Sequence, residues 1–165
     1  MKKSWQEKLG DKASLPKVLK LEKGFPCYNA VHKMGAEVGE DIVLVNPSEV
    51  VEIMKQVPKG TLITIVEICK RIARQHNVKG CCSLTTGIFI MTAANAAEEA
   101  AQNSRSLDIP YWRTLKTDGF LNAKYPGGQE MHKELLEQEG YTVIQKGKRF
   151  FVKDFWKYLA WQGDI

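Results

Sequence analysis

The sequence lacks any apolar run close to the roughly 18 residues that a membrane-spanning helix needs, and its charged N-terminus has no apolar stretch behind it. The first absence argues against a membrane protein and the second against a secretory signal. Cysteine is scarce, with four residues among 165 and no spacing typical of a disulfide framework. We therefore expect reduced thiols, a cytoplasmic location and no membrane partner.

Metal ligands are also scarce. Cys69, His76, Cys81 and Cys82 together could suggest zinc, but their spacing matches no usual zinc pattern. Cys69 falls on the apolar face of a predicted helix, which favours a buried side chain over a ligand. The sequence thus predicts neither a metal site nor a cofactor.

The amounts of apolar and charged residues, 44% and 26%, are typical of one folded globular domain. The charge of +5 is unevenly placed: residues 1–33 carry eight lysines and three acidic residues, and residues 146–165 carry five basic and two acidic residues. Basic ends suit a polyanionic partner, or they are merely solvated. We predict a basic N-terminal arm over residues 1–40, of which residues 1–24 are weakly ordered and contribute little core, followed by a folded domain over residues 41–165.

Three predicted helices occupy the middle of the chain. The first begins at Pro47 and ends before Pro58. The second begins after Thr64, where Glu67 completes a capping box. The third runs from about residue 83 to residue 101 and is almost uncharged, so most of it should be buried or pressed against a partner. A helix, a turn with glycine and a second helix are the parts of a helix-turn-helix.

The C-terminal third predicts a helix and a hairpin. A long loop with several aromatic residues precedes a helix over residues 129–139, and a hairpin follows over residues 141–152. The tip of the hairpin is basic, and a short aromatic helix should close the chain. We therefore expect a mainly α fold with a small β-hairpin, arranged as a winged helix-turn-helix domain.

Several motifs in register give the chain a resemblance to a known family. Residues 57–64, VPKGTLIT, resemble the VPxGxVxT opening of the alkylguanine-DNA alkyltransferase family, and residues 109–113, IPYWR, stand where that family has IPCHR. Residues 118–140 resemble its GxLxGYxGGLxxKxxLLxxEG segment at matching spacing. The resemblance covers roughly residues 47–141. It implies a domain that binds duplex DNA in the minor groove, flips a damaged guanine and transfers its alkyl group to a cysteine thiolate.

Four positions depart from the family pattern. Tyr111 replaces the nucleophilic cysteine, and Trp112 replaces the histidine that activates it. Ile65 stands where the family has a tyrosine against the flipped nucleotide, and Leu84 falls near the position of its arginine finger. The resemblance therefore implies no catalytic residue and no alkyl transfer, as in the family's non-catalytic alkyltransferase-like branch.

The resemblance also implies site residues. Those expected around the pocket are Pro110, Tyr111, Trp112, Arg113, Tyr125 and Glu139. Those expected to contact DNA, from the helix-turn-helix and the hairpin tip, are Thr64, Thr85, Thr86, Asn95, Lys146, Lys148 and Arg149. The implied function is non-enzymatic binding of duplex DNA, with recognition of alkylated DNA and recruitment of a repair protein as its extension.

Three alternatives stay open on the sequence alone. Cys81 or Cys82, just before a helix, could be a relocated alkyl acceptor, although small buried residues are the plainer interpretation. The domain could instead be a regulatory or interaction module without lesion specificity. The rings of Tyr111 and Trp112 could stack on a base, or they could fill the pocket, which we favour slightly because Ile65 and Leu84 have also lost polar groups.

Overall fold

The computed structural model describes residues 2–10 and 14–162. Within those ranges the chain forms six α-helices and seven strands in three small sheets, so it is a small mixed α/β domain. The helices are α1 (Trp5–Gly10), α2 (Tyr28–Lys33), α3 (Pro47–Gln56), α4 (Ile65–Gln75), α5 (Ser83–Gln102) and α6 (Gly128–Gln138). The strands are β1 (Lys17–Lys20), β2 (Asp41–Leu44), β3 (Ile63–Thr64), β4 (Gly80–Cys81), β5 (Thr114–Leu115), β6 (Val143–Lys146) and β7 (Arg149–Val152).

The three predicted central helices are confirmed, and local side chains explain where they begin. Asn46 accepts a hydrogen bond from the amide of Ser48 and forms a capping box with Glu49 at the start of α3. Thr64 and Glu67 form the predicted capping box at the start of α4. These reciprocal bonds satisfy amide groups that the first turn of a helix leaves unpaired.

The helices α3, α4 and α5 enclose the main core together with the loop that follows α5. Ile68 and Ile72, one turn apart on α4, are fully buried in it, as the apolar stripe predicts. Gly87 of α5 faces Ile65 of α4, since a Cβ atom there would lie 3.4 Å from Ile65 Cδ1, an ordinary contact distance.

The expectation that the N-terminal residues are weakly ordered and contribute little core is wrong for the described part. Strand β1 pairs antiparallel with β2, which pairs parallel with β4. Leu21 and Val31 are fully buried in a second cluster that reaches Cys82. The packing is close: a Cβ atom at Gly80 would lie 2.6 Å from Val31 Cγ1. The division of the chain at residue 40 itself stays a prediction.

We expect Leu21→Ala to lower the free energy of unfolding by about 2 kcal/mol, the transfer value of a fully buried leucine. Val18→Ala is the control, because Val18 lies on the adjacent strand and is 48% exposed. Urea denaturation of both variants compares the two sites. Equal midpoints for wild type and Leu21→Ala would show that this segment is outside the cooperative unit.

The C-terminal part follows the prediction except at its end. Helix α6 and the hairpin β6–β7 are present, and Lys146 pairs with Arg149 across a two-residue turn. Gln129 of α6 accepts a hydrogen bond from the amide of Phe150, which holds the hairpin against the helix. The predicted closing helix is only a 3-10 turn, Phe155–Tyr158. The pairing of the strands outside the hairpin was not predicted. No described helix is long and apolar enough to cross a membrane.

Candidate functional site

The motif at residues 109–113 lies at the junction of α3, α5 and α6. Tyr111 is 5% exposed and belongs to the main core. Its ring meets Trp112 and Tyr125 edge-on, with centroids 5.4 and 5.3 Å away. Trp112 is half-buried at the edge of the same core. Tyr111 is thus packed as a core residue.

The phenol of Tyr111 is a poor nucleophile in this environment. Burial, with a contribution from the charge of Glu98, raises the pKa of Tyr111 to about 12. Burial also raises the pKa of Tyr125, whose hydroxyl donates to the Thr114 carbonyl at 2.8 Å. Both side chains are therefore neutral phenols at physiological pH.

Arg113 and Glu139 form a largely buried, bidentate ion pair. Arg113 Nε and Nη2 donate to the two oxygens of Glu139 at 2.9 and 2.7 Å, and Nη1 donates to the Val57 carbonyl at 2.9 Å. Burial alone would raise the pKa of Glu139, but the hydrogen bonds and the charge of Arg113 hold it below its usual value. The Arg113 side chain therefore links residues 109–113 to Val57, directly after α3, and to Glu139, directly after α6.

His132 is a further residue of this junction that the sequence interpretation missed. It is fully buried, its Nε2 lies 2.8 Å from the Trp112 carbonyl, and its Nδ1 accepts from the Asn122 amide at 3.1 Å. Since a carbonyl accepts and an amide donates, the ring is neutral with its proton on Nε2. His132 precedes Leu135 and Leu136 by three and four residues, so helical periodicity places all three on one face of α6. This spacing was the sequence signal that could have identified His132 as buried.

The environment of His132 makes the protein sensitive to acid. Burial lowers the pKa of His132 to about 4, below the ordinary value of 6.5. The unfolded chain therefore binds this proton near pH 6.5, while the folded chain binds it only near pH 4. Stability that is complete above pH 6.5 is lost as the pH falls to 4, by about 3 kcal/mol.

We expect His132→Gln to remove this part of the acid sensitivity, because the amide keeps one donor and one acceptor but does not titrate. The free energy of unfolding, measured by urea at pH 7, 5.5 and 4.5, should fall more steeply for wild type than for the variant. Parallel pH profiles for the two proteins would contradict a neutral, buried His132.

A groove of about 510 Å³ lies along the first half of α5. One side is formed by Leu84, Gly87, Ile88 and Met91 of α5, and the rim carries Lys116, Lys124 and Arg149. None of the described residues that line this groove is acidic.

A second groove, of about 540 Å³ beside Tyr111, carries both signs of charge, with Lys55, Arg105, Glu98 and Asp108 in its walls. Tyr111 therefore fills part of the junction and leaves an open groove beside it.

One basic side chain of the rim, that of Arg149, and the backbone of Lys124 are held in place. The guanidinium carbon of Arg149 lies 3.6 Å from the centre of the Phe120 ring, a cation–π contact. The Lys124 carbonyl accepts from Asn95 Nδ2 at 3.1 Å, and the same amide nitrogen donates to the Met91 carbonyl. Asn95 thus positions the loop that carries Lys124. The sequence interpretation had named Arg149 and Asn95 but not Lys116 or Lys124.

The predicted DNA-contacting residues divide into two groups. Lys146, Lys148 and Arg149 are exposed at the hairpin tip. Thr64 and Thr86 are buried: Thr64 caps α4, and the Thr86 hydroxyl donates to the Cys82 carbonyl at 2.8 Å. Their hydroxyls satisfy groups inside the domain, and contact of these two threonines with DNA stays a prediction.

Thr85 and the two neighbouring cysteines lie at the start of α5. The Thr85 hydroxyl donates to Cys82 Sγ at 3.3 Å. Cys81 and Cys82 are buried and reduced, as are the two other cysteines. A hydrogen bond from Cys69 lowers the pKa of Cys81, although burial opposes this. Neither thiol at the start of α5 has surface that an alkylated base could reach. No group of three or more possible metal ligands occurs within residues 2–10 and 14–162.

Comparison with known proteins places the chain in a family. Two crystal structures of the alkyltransferase-like protein of S. pombe are similar to it: Atl1 in complex with damaged DNA containing O6-carboxymethylguanine (18% identity, TM-score 0.47) and the same protein in complex with DNA (16%, 0.48). Each comparison covers 68% of this chain and 92% of the other. No functionally curated protein matches. The family model for the DNA-binding domain of 6-O-methylguanine DNA methyltransferase matches residues 47–141. Because that range is more than half of the sequence, the chain belongs to the 6-O-methylguanine DNA methyltransferase DNA-binding-domain family.

Proposed function

We propose that the protein binds duplex DNA without chemically altering it. The observation that carries the proposal is the groove along α5, which has a rim of three basic side chains and no acidic residue among its described lining. Polyanionic DNA is the partner that such a surface suits best. Membership of a DNA-binding-domain family supports the same conclusion.

In this proposal α4 and α5 act as the helix-turn-helix and the β6–β7 hairpin acts as the wing. Helix α5 presents its exposed face between the loop that carries Lys116 and the hairpin tip. Lys146 and Lys148 extend the basic surface beyond the groove. This arrangement would bring helix and hairpin to one side of a duplex.

The enclosure of the three candidate nucleophiles, Tyr111, Cys81 and Cys82, supports a non-enzymatic role. Tyr111 is a buried phenol with a raised pKa, and the Cys81 and Cys82 thiols are enclosed. Four reduced thiols also favour a cytoplasmic location. The S. pombe protein was crystallised with damaged DNA that contains O6-carboxymethylguanine, and preference for alkylated DNA is the property to be measured here.

The test is a titration of fluorescent duplexes with and without O6-alkylguanine over a range of salt concentrations. We expect affinity to fall with salt, and each phosphate contact to contribute a slope of about 0.9 on logarithmic axes. Removing Lys116, Lys124 or Arg149 by alanine substitution should lower the slope by about that amount for each side chain in contact. Lys55→Ala, on the other groove, is the matched control.

Three outcomes are informative. Absence of binding to either duplex, or an affinity independent of salt, would reject the proposal. Equal affinity for both duplexes would leave DNA binding intact and remove lesion recognition. A mass increase of the protein after incubation with the alkylated duplex would overturn the non-enzymatic part.

A further inference from the structure

The N-terminal segment forms one wall of the groove along α5. Pro26, Cys27, Asn29 and Ala30 line this groove together with the exposed face of α5. All four residues precede residues 47–141, the range that the family model matches. The groove is therefore completed by a part of the chain that lies outside the family domain.

Helix α2 extends the groove towards the start of α5. Cys27, directly before α2, belongs to the same buried cluster as Cys82, the residue that precedes α5. The loop that carries Lys124 is held instead by Asn95, which lies well into the second half of α5. The helix between Cys82 and Asn95 is about 20 Å long at 1.5 Å for each residue. Helix α2 and the Lys124 loop therefore border different parts of the groove.

Helix α2 is fixed relative to α5 before any partner binds. Val31 is fully buried, and a Cβ atom at Gly80 would lie 2.6 Å from its Cγ1 atom. Gly80 belongs to β4, which leads into α5 and pairs with β2. Because this packing already holds α2 in place, a partner that contacts its exposed face does not have to order a loop.

The side of α2 that faces the groove carries two polar groups without partners. Asn29 lies in the groove, and Lys33 follows one turn later on the same face of the helix. Both residues are exposed, and within the described chain neither side chain has a hydrogen-bonding or ionic partner. Glu37, the next acidic residue along the chain, lies 3.8 Å from His32 Nδ1 instead. An amide and an ammonium group are therefore available to an anion.

These two groups suit the phosphate backbone of the duplex proposed to lie along α5. Lysine and asparagine side chains are common donors to phosphate oxygens. No acidic residue is found among the described residues of the groove that would repel the strand between α2 and the Lys124 loop. A strand carries one phosphate for each 3.4 Å of helix axis, so a length of about 20 Å spans roughly six phosphates. One short duplex is thus long enough to reach both walls.

We propose that α2 is a second DNA-contacting element, in which Asn29 and Lys33 bind the phosphate backbone of the duplex along α5. The inference rests on the proposed DNA binding and adds a contact from outside the family domain. Contacts with phosphates carry no sequence information. Helix α2 therefore raises the affinity for every sequence and lengthens the stretch of DNA that the protein covers.

The test is a titration of the full chain with undamaged fluorescent duplexes at several salt concentrations. Lys33→Ala should lower the logarithmic salt slope by about 0.9, the value of one phosphate contact. Asn29→Ala removes an uncharged donor, so it should weaken binding about two- to tenfold without changing the slope. Both residues are exposed and alanine is the better helix former, so the fold is retained.

Lys17→Ala is the matched control, because Lys17 is an exposed lysine of the same segment that does not line the groove. It should leave the slope unchanged. Hydroxyl-radical footprinting of wild type and of the double variant Asn29→Ala with Lys33→Ala adds a geometric measurement. The stretch of DNA protected by wild type should be longer at one end.

The outcomes separate this inference from the proposed function. A wild-type slope in Lys33→Ala together with a wild-type affinity in Asn29→Ala would overturn the α2 contact and leave DNA binding intact. An equal loss of slope in Lys17→Ala would indicate a general effect of charge and would also overturn it. Failure of wild type to bind any duplex would overturn both proposals.

Discussion

Arg113→Ala should lower the free energy of unfolding by about 3–5 kcal/mol, the effect of removing one partner of a buried ion pair. The substitution would leave the Glu139 carboxylate without its bidentate partner and the Val57 carbonyl without its donor. In the intact protein the Glu139 side chain is 10% exposed and Val57 is buried. Urea denaturation at pH 7 measures the difference.

Two further variants distinguish the pair from a simple loss of packing. Arg113→Lys keeps the charge but cannot form two parallel hydrogen bonds, so we expect an intermediate loss. Combining Arg113→Ala with Glu139→Ala removes the unpaired carboxylate and should restore part of the stability lost in the single variant. A single variant as stable as wild type would show that the pair contributes nothing.

Tyr111→Ala should have an effect of similar size, about 3–5 kcal/mol, as deletions of large aromatic side chains from cores do. Tyr111 packs edge-on against two aromatic rings and is almost fully buried, so the deletion leaves a cavity among rigid neighbours. Tyr111→Phe keeps the ring and is the control. Thermal and urea denaturation of both variants provide the measurement.

This prediction also decides between the two roles of the rings at the motif. If Tyr111 were a stacking platform for a flipped base, Tyr111→Ala would unfold like wild type and bind a flippable duplex about 1–3 kcal/mol more weakly. If Tyr111 is instead a core residue, Tyr111→Ala lowers the free energy of unfolding. Trp112→Ala is expected to destabilise less, because Trp112 is only half-buried.

Sequence patterns predicted the features that depend on neighbours along the chain. The start of α4 is determined by Thr64 and Glu67, which lie three residues apart. The side chain of each accepts a hydrogen bond from the backbone amide of the other. The β6–β7 hairpin is likewise local, since its strands are joined by two residues. Such interactions are visible in the sequence because the groups that make them are close in it.

The features that were missed depend on distant partners. Strand β1 is a short, lysine-rich segment, and it becomes ordered only through pairing with β2 about two dozen residues later. His132 could be assigned a role only once the Trp112 carbonyl and the Asn122 amide were known to face it. Thr86 appeared to be a candidate for contact with DNA, but its hydroxyl turns back to the Cys82 carbonyl.

The pairing of β4 with β2 limits how the domain can be moved into a chimera. A graft of residues 47–141, the range of the family match, would include Gly80 and Cys81 but leave behind the strand that they pair with and the Val31 side chain that covers Gly80. It would also leave Leu62 without Leu159, its bridge partner near the end of the described chain. A fusion intended to transfer the proposed DNA-binding surface should therefore include the chain from residue 2, because Trp5 and Gln6 of α1 bond Glu99 of α5, to residue 162, and an insert limited to residues 47–141 should be less stable.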